Sequence, residues 1–278
     1  GHGFVPVLDA LQGRGFTIIY DVIDDWTDTS LGGDWYDESV ERSISARADA
    51  VTASAEDLVD RMQRWGSAAT LVPNAVNAQI FDGRSHPRPV DLPDGPLLGY
   101  HGSLHGDWFD WDALAAVARA NPDATVVVIG DHRGVEYQLP ANVVFLGLKA
   151  QSDLPAYLVN LDVGLVPFSV TPVTHAVSPL KVFEYLASGV PVASTPLRPV
   201  VGLDGVFTDD DLVAAVSFAR SGPRPDPSVA LANHAWGSRV TEMLEAAGVA
   251  VNEVQDAGPT IQIRPTIRPP TEERWIRA

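Results

Sequence analysis

Lys181 and Glu184 are the residues of this chain whose types and spacing most plainly suggest chemistry. They share one helix-forming run, Ser178-Pro179-Leu180-Lys181-Val182-Phe183-Glu184-Tyr185-Leu186-Ala187-Ser188-Gly189. Only two lysines occur in the 278 residues, Lys149 and Lys181, and the other cations are arginines. Lys181 falls in the first turn of the run, where the helix dipole is positive and a cation is unfavourable. A bound anion reverses that penalty, because first-turn N–H groups and an ammonium together make a phosphate site. The alternative is a Lys181–Glu184 pair, worth about 0.2–0.5 kcal/mol and in the weaker orientation. On spacing alone both readings stay open.

The flanking residues say how such a site would be positioned. The apolar run Val163-Gly164-Leu165-Val166-Pro167-Phe168 suits a buried parallel strand. Ser178 reads as the N-cap and Pro179 as the first helical residue. Gly189 ends the helix, and Pro191-Val192-Ala193 starts the next strand. In a parallel sheet the loops after the strands meet along one edge. Here those loops are 101–106, 130–134, 147–151 and 167–178. They carry Gly102, Ser103, Gly130, Arg133, Gly147, Lys149 and Lys181, so both lysines of an acidic chain reach the same edge. Gly102 and Ser103 offer backbone and hydroxyl donors to a phosphate, although an ordinary strand-to-helix turn has the same composition. His101 and His105 read as turn or surface residues. Arg133 and Lys149 read equally as ligands and as solvated loop charges. Helical spacing makes Trp108, Phe109 and Trp111 a core cluster. Asp209-Asp210-Asp211 precedes a helix and reads as an N-terminal charge cap. Asp24-Asp25 lies at a strand end without further spaced ligands, so no metal is expected. No GxSxG, P-loop or GxGxxG pattern occurs, which removes the motif basis for hydrolase, NTPase and dinucleotide oxidoreductase readings.

The chain as a whole reads as α/β. Strands 16–22, 50–54 and 70–73 alternate with helices 35–47 and 56–65, which implies a parallel sheet within residues 1–81. Three strands make a marginal sheet. Residues 82–96, containing Arg84-Ser85-His86-Pro87-Arg88-Pro89, read as a linker. Residues 97–248 hold strands near 97–100, 125–129, 143–146, 163–168, 191–193 and 205–207. Helices near 111–120, 154–159, 209–220 and 234–247 complete this second, Rossmann-like unit. Residues 249–278 contain Pro259, Pro265, Pro269 and Pro270 and read as an extended tail, helical at most around 272–275. No cysteine is present, which excludes disulfides and thiolate metal sites. The net charge is −17 and the pI about 4.6, which argues against nucleic acid as a partner. No apolar run is long enough to span a bilayer, and no signal peptide is visible, so a cytoplasmic location is expected.

The run from Ser178 to Val192 resembles the donor-binding motif of GT-B fold glycosyltransferases, most closely the family 4 retaining enzymes of teichuronic-acid and polysaccharide synthesis. Three further stretches are similar to the second half of a GT-B N-terminal domain: Tyr20-Asp21-Val22-Ile23-Asp24-Asp25-Trp26, Ala48-Asp49-Ala50-Val51-Thr52-Ala53-Ser54 and Leu71-Val72-Pro73-Asn74-Ala75-Val76. The resemblance spans about residues 16–245. It implies two Rossmann-like parallel-sheet domains, the N-terminal one lacking its opening half. It also implies a nucleotide-diphosphate sugar, UDP- or GDP-linked, as substrate, with no cofactor. A glycan, lipid-linked or small-molecule acceptor would receive the sugar with retention and without metal. Ser178, Leu180 and Lys181 would meet the diphosphate, with Lys181 also catalytic. Glu184 would take the ribose hydroxyls, and Gly102, Ser103, Arg133 and Lys149 would complete the donor site. Where the family often has another glutamate, this chain has Ala176. The shortened N-terminal domain leaves room for a partner chain supplying the absent half, or for peripheral membrane contact. The alternative is a non-catalytic nucleotide-sugar-binding fragment, or one subunit of a split glycosyltransferase.

Overall fold

The computed structural model describes residues 5–28, 31, 33–104, 106–131 and 137–250. The expected tail from residue 251 on, with its final turn, Arg133 and His105 lie outside them. The first unit runs α1 (Val5–Gln12), β1 (Ile19–Val22), a 3-10 turn (Gly33–Trp35), α2 (Glu38–Ser45), β2 (Ala50–Ala53), α3 (Glu56–Arg64) and β3 (Thr70–Leu71). Its three strands are parallel in the order β1-β2-β3, with Ile19 beside Ala50 and Thr52 beside Thr70. β3 is shorter than the apolar run predicts. Val72 adds one bond to the Ala53 carbonyl, and Pro73 then has no N–H to continue the ladder. Val22, Val51, Ala53, Leu58 and Met62 form the small core. Beside it Arg61 is buried between Glu41 and Asp25, and the hydroxyls of Tyr20 and Tyr36 donate to Glu41. Burying that guanidinium is tolerable because its charge is paired and hydrogen-bonded.

The second unit runs β4 (Leu97–His101), α4 (Trp111–Ala120), β5 (Thr125–Ile129), β6 (Val143–Gly147), α5 (Leu154–Leu158) and β7 (Val163–Val166). It continues with α6 (Pro172–His175), α7 (Leu180–Ala187), β8 (Val192–Ser194), β9 (Val206–Thr208), α8 (Leu212–Ser221), α9 (Pro227–His234) and α10 (Trp236–Ala246). All six strands are parallel, in the order β6-β5-β4-β7-β8-β9. The order reverses between β4 and β7, which is the crevice where doubly wound sheets receive ligands. The central strands are apolar runs buried on both faces, as helices on each side require. α7 lies so close to β7 that a Cβ on Gly164 would stand 2.5 Å from the Tyr185 ring. The Tyr185 hydroxyl donates to the Gly99 carbonyl (3.0 Å) and accepts from the His101 N–H (3.2 Å). One buried side chain thus fixes α7 to the end of β4.

β7 ends at Val166, two residues earlier than its apolar run, because Pro167 gives its carbonyl to the Asp110 N–H and Phe168 turns to bridge Phe109. α7 begins at Leu180 with Pro179 as its cap residue, one position later than expected, and no side chain caps it. The reason is that the Ser178 hydroxyl accepts the Asn74 N–H, while the Asn74 amide donates to the Ser178 carbonyl. Ser178 is therefore spent on joining the two units. The same loop sends Ala176 into the core of the first unit. Arg198 reaches Glu56, Asp57 and Asp60 on α3, and Val76 pairs with the chain at His234 and Trp236.

Candidate functional site

At the switch point the loop after β4 and the start of α7 face one another. Lys181 Nζ sits over the faces of Phe168 (4.6 Å to the centroid) and Tyr100 (5.3 Å). It also lies against the backbone of Gly102, where an added Cβ would be 3.6 Å from Nζ and 3.2 Å from Cε. Gly102 has φ +126°, which only glycine adopts readily. A Cβ on Gly130 would fall 2.1 Å from the Gly102 carbonyl oxygen, so two glycines allow the loops after β4 and β5 to nest. Burial pushes the Lys181 ammonium down to about 8, and the Glu184 carboxylate opposes this only in part. The two are not joined as an ion pair, so the simple pairing of Lys181 with Glu184 is not what this turn is built for. An under-compensated ammonium at an uncapped helix start is suited to an anion.

Glu184 lies one turn on and is buried. Burial raises its carboxyl above the usual range, while Lys181 and a hydrogen bond from Gln151 hold it back. Its nearest titratable neighbour is His101, with Nε2 3.3 Å from Oε2. The expectation of a turn or surface residue fails for His101, which is 5% exposed at the last position of β4 and packed edge-on against Tyr185 at 5.0 Å. Burial, and then the Lys181 charge, depress its imidazole to about 3.

Gly102 and Lys181, packed against one another, each line a different cavity. One, about 360 Å³, is lined by His101, Gly102, Ser103, Gly130, Asp131 and Lys149 among others. The second, about 530 Å³, lies between the two units, with Asp24 and Asn74 on one side and Trp108, Phe168, Leu180, Lys181 and Trp236 on the other. Lys149 borders the first cavity, but its ammonium is bonded to Asp91 (2.7 Å) and lies over the Tyr157 ring. Ser103 borders the same cavity, and its carbonyl takes the Tyr100 hydroxyl. Leu180 is 44% exposed at the mouth of the second. Of the aromatic cluster expected in the core, Phe109 is buried and Trp111 half-buried beside it at 4.5 Å, whereas Trp108 also lines the cleft. Asp25 is taken by Arg61, and Asp24 faces the cleft with its carboxyl raised by burial. Among the described residues no three His, Asp or Glu side chains are grouped to hold a metal ion. No described helix is long and apolar enough to cross a membrane.

Two parallel α/β units sharing a cleft, with a helix start and a glycine loop at the switch point of the larger, define the GT-B fold of glycosyltransferases. Residues 95–219 match the model of the glycosyl transferases group 1 family. TuaH of Bacillus subtilis (strain 168), a protein assigned to teichuronic acid biosynthesis as a glycosyltransferase, is 30% identical over 174 residues. That match covers 58% of this chain and 43% of the relative, so the chain spans less than half the length of the curated relative it matches. The sucrose-phosphate synthase of Thermosynechococcus elongatus superposes with a TM-score of 0.58 at 20% identity, over 85% of this chain and 69% of that one. HepE of Anabaena, solved with UDP, superposes with a TM-score of 0.60 at 14% identity, over 88% and 75%.

Proposed function

We propose that this chain transfers a sugar from a nucleotide-diphosphate sugar, with Lys181 and the start of α7 receiving the diphosphate and Glu184 receiving the ribose hydroxyls. The observation that carries the reading is the Lys181 ammonium, short of compensating charge, held against the glycine backbone of Gly102 at the switch point. As the glycosidic bond breaks, negative charge develops on the leaving diphosphate. A preorganised ammonium and N–H groups of the first helical turn stabilise that charge more than they stabilise the ground state. Gly102 and Ser103 border the diphosphate. Lys149 acts from the cavity wall, turning from Asp91 toward the base or ribose. The neighbour HepE, solved with UDP and with UDP-glucose, favours the uridine nucleotide over GDP. The teichuronic-acid relative favours a growing polysaccharide or lipid-linked glycan as acceptor. The acceptor enters through the cavity between the units, and the configuration at the sugar is retained.

Thermal unfolding with UDP and with GDP, each with and without EDTA, tests the reading. At a hundred times its dissociation constant the true nucleotide should stabilise the chain by about 2.7 kcal/mol. The shift should survive EDTA, because the protein supplies the counter-charge. No shift with either nucleotide, or one abolished by EDTA, refutes it.

A further inference from the structure

His101 is not accounted for by the fold. A β-strand residue ending a buried parallel strand needs no imidazole, and burying one is costly unless its ring nitrogens find partners. Its Nε2 is fully enclosed and makes no hydrogen bond of good geometry, yet Glu184 Oε2 lies only 3.3 Å away. The His101 backbone N–H is held by the Tyr185 hydroxyl, and the imidazole packs edge-on against the Tyr185 ring. The other ionisable groups set beside it are Lys181 and Tyr185 on α7. Neither is placed to accept a hydrogen bond from this nitrogen, whereas the Glu184 carboxylate is an acceptor 3.3 Å away. Glu184 therefore has two protein-side groups, Gln151 and His101, set against it, and His101 itself borders the 360 Å³ cavity.

We propose that His101 is a positioning residue for nucleoside recognition, carrying its ring proton on Nε2 and donating it to Glu184 so that the carboxylate is aimed at the vicinal hydroxyls of the ribose. The inference rests on the donor reading above. A small movement of Glu184 toward the ring when the ribose binds closes the remaining distance to a normal N–H···O bond. The charge-assisted bond then strengthens in the bound state, which is how a residue acting through another raises affinity.

The test uses the full chain in two measurements. Long-range nitrogen–proton NMR of the imidazole in the unliganded protein should find the neutral tautomer with the proton on Nε2, and a proton on Nδ1 overturns the proposal whatever the ligand. Calorimetric titration of uridine and UDP into the wild type, His101→Leu and His101→Gln gives the second reading. His101→Leu should weaken both ligands by about tenfold. His101→Gln, whose amide can donate from a similar place, should restore affinity to within a few-fold. Normal binding by a folded His101→Leu, or a His101→Gln as weak as His101→Leu, overturns it. A wild type that binds neither UDP nor GDP instead refutes the donor site itself, and the inference falls with it.

Discussion

The depressed Lys181 ammonium makes the proposed diphosphate site pH-dependent in a direction that can be worked out. Only the charged form attracts the diphosphate, and the unliganded group loses its proton near 8. Affinity for UDP should therefore be flat below about pH 7 and fall about tenfold for the unit above the ammonium's pKa, since one unit of pKa is about 1.4 kcal/mol. The phosphate's own second ionisation is near 6 and contributes little above pH 7. Near pH 8 binding should draw in about half a proton, read as a dependence of calorimetric enthalpy on buffer ionisation. Uridine, lacking phosphates, should show neither effect. Lys181→Met should bind UDP about tenfold to a hundredfold less tightly at pH 7 and abolish the pH dependence. In the unliganded chain the sign is the opposite. The folded state holds fewer protons than the unfolded one between about 8 and the ordinary 10.5, so stability rises with pH across that window. Lys181→Met should accordingly be more stable than wild type at pH 7, by at most about 3 kcal/mol. A UDP affinity that stays constant from pH 7 to 9.5, or uridine tracking UDP, would refute the reasoning.

Glu184→Ala should weaken uridine and UDP alike, by about tenfold or more, because it acts on the ribose and not on charge; calorimetry that finds uridine unaffected removes the role. Gly130→Ala should destabilise the fold by about 1–3 kcal/mol in denaturant titration and weaken UDP, since its Cβ must displace the Gly102 carbonyl. Asp24→Asn should leave UDP affinity within about twofold while narrowing the difference between UDP-glucose and UDP; it should also raise the melting temperature slightly at pH 7, because a carboxylate disfavoured by burial is neutralised.

The second unit was legible because its signals are local. Apolar runs mark β4, β5 and β7, and Gly189 marks the end of α7, so the strands and the helix at the switch point follow from punctuation. Three helices were not expected, α1 in the first unit and α6 and α9 in the second; the latter two begin at Pro172 and Pro227, which in isolation read as loop. Thr171 capping the Thr174 N–H and Asp226 capping the Ser228 N–H were the available clues. What could not be read was decided by distant partners. Ser178 would cap its helix if Asn74, 104 residues earlier, did not take its hydroxyl. His101 beside a glycine is a turn by composition and becomes buried only because α7 brings Tyr185 and Glu184 over it. The pairing of Arg61 with Glu41 and Asp25 likewise joins residues that no local pattern connects.

Ala176 shows how one departure from the resembled pattern redistributes a task. The motif would set an acidic side chain there, beside the donor sugar. In this chain the position is 1% exposed and packed with Val22, Ala53 and Leu58 of the first unit. A carboxylate buried among those side chains would lose its hydration without a cation in the cluster to replace it. The loop 171–178 has instead become an anchor, with Ala176 in the neighbouring core, Ser178 on Asn74, and the adjoining Arg198 on the acids of α3. An anchored loop cannot also offer its side chains freely to a sugar. The polar groups that line the cleft beside Lys181 are Asp24, Asn74, Thr174 and Ser178. Thr174 and Ser178 are already committed to bonds within the loop and across to the first unit, and Asn74 holds Ser178. Asp24 is the acidic group in that lining and comes from the opposite unit, so under the proposed donor reading the acidic partner for the sugar is supplied across the cleft.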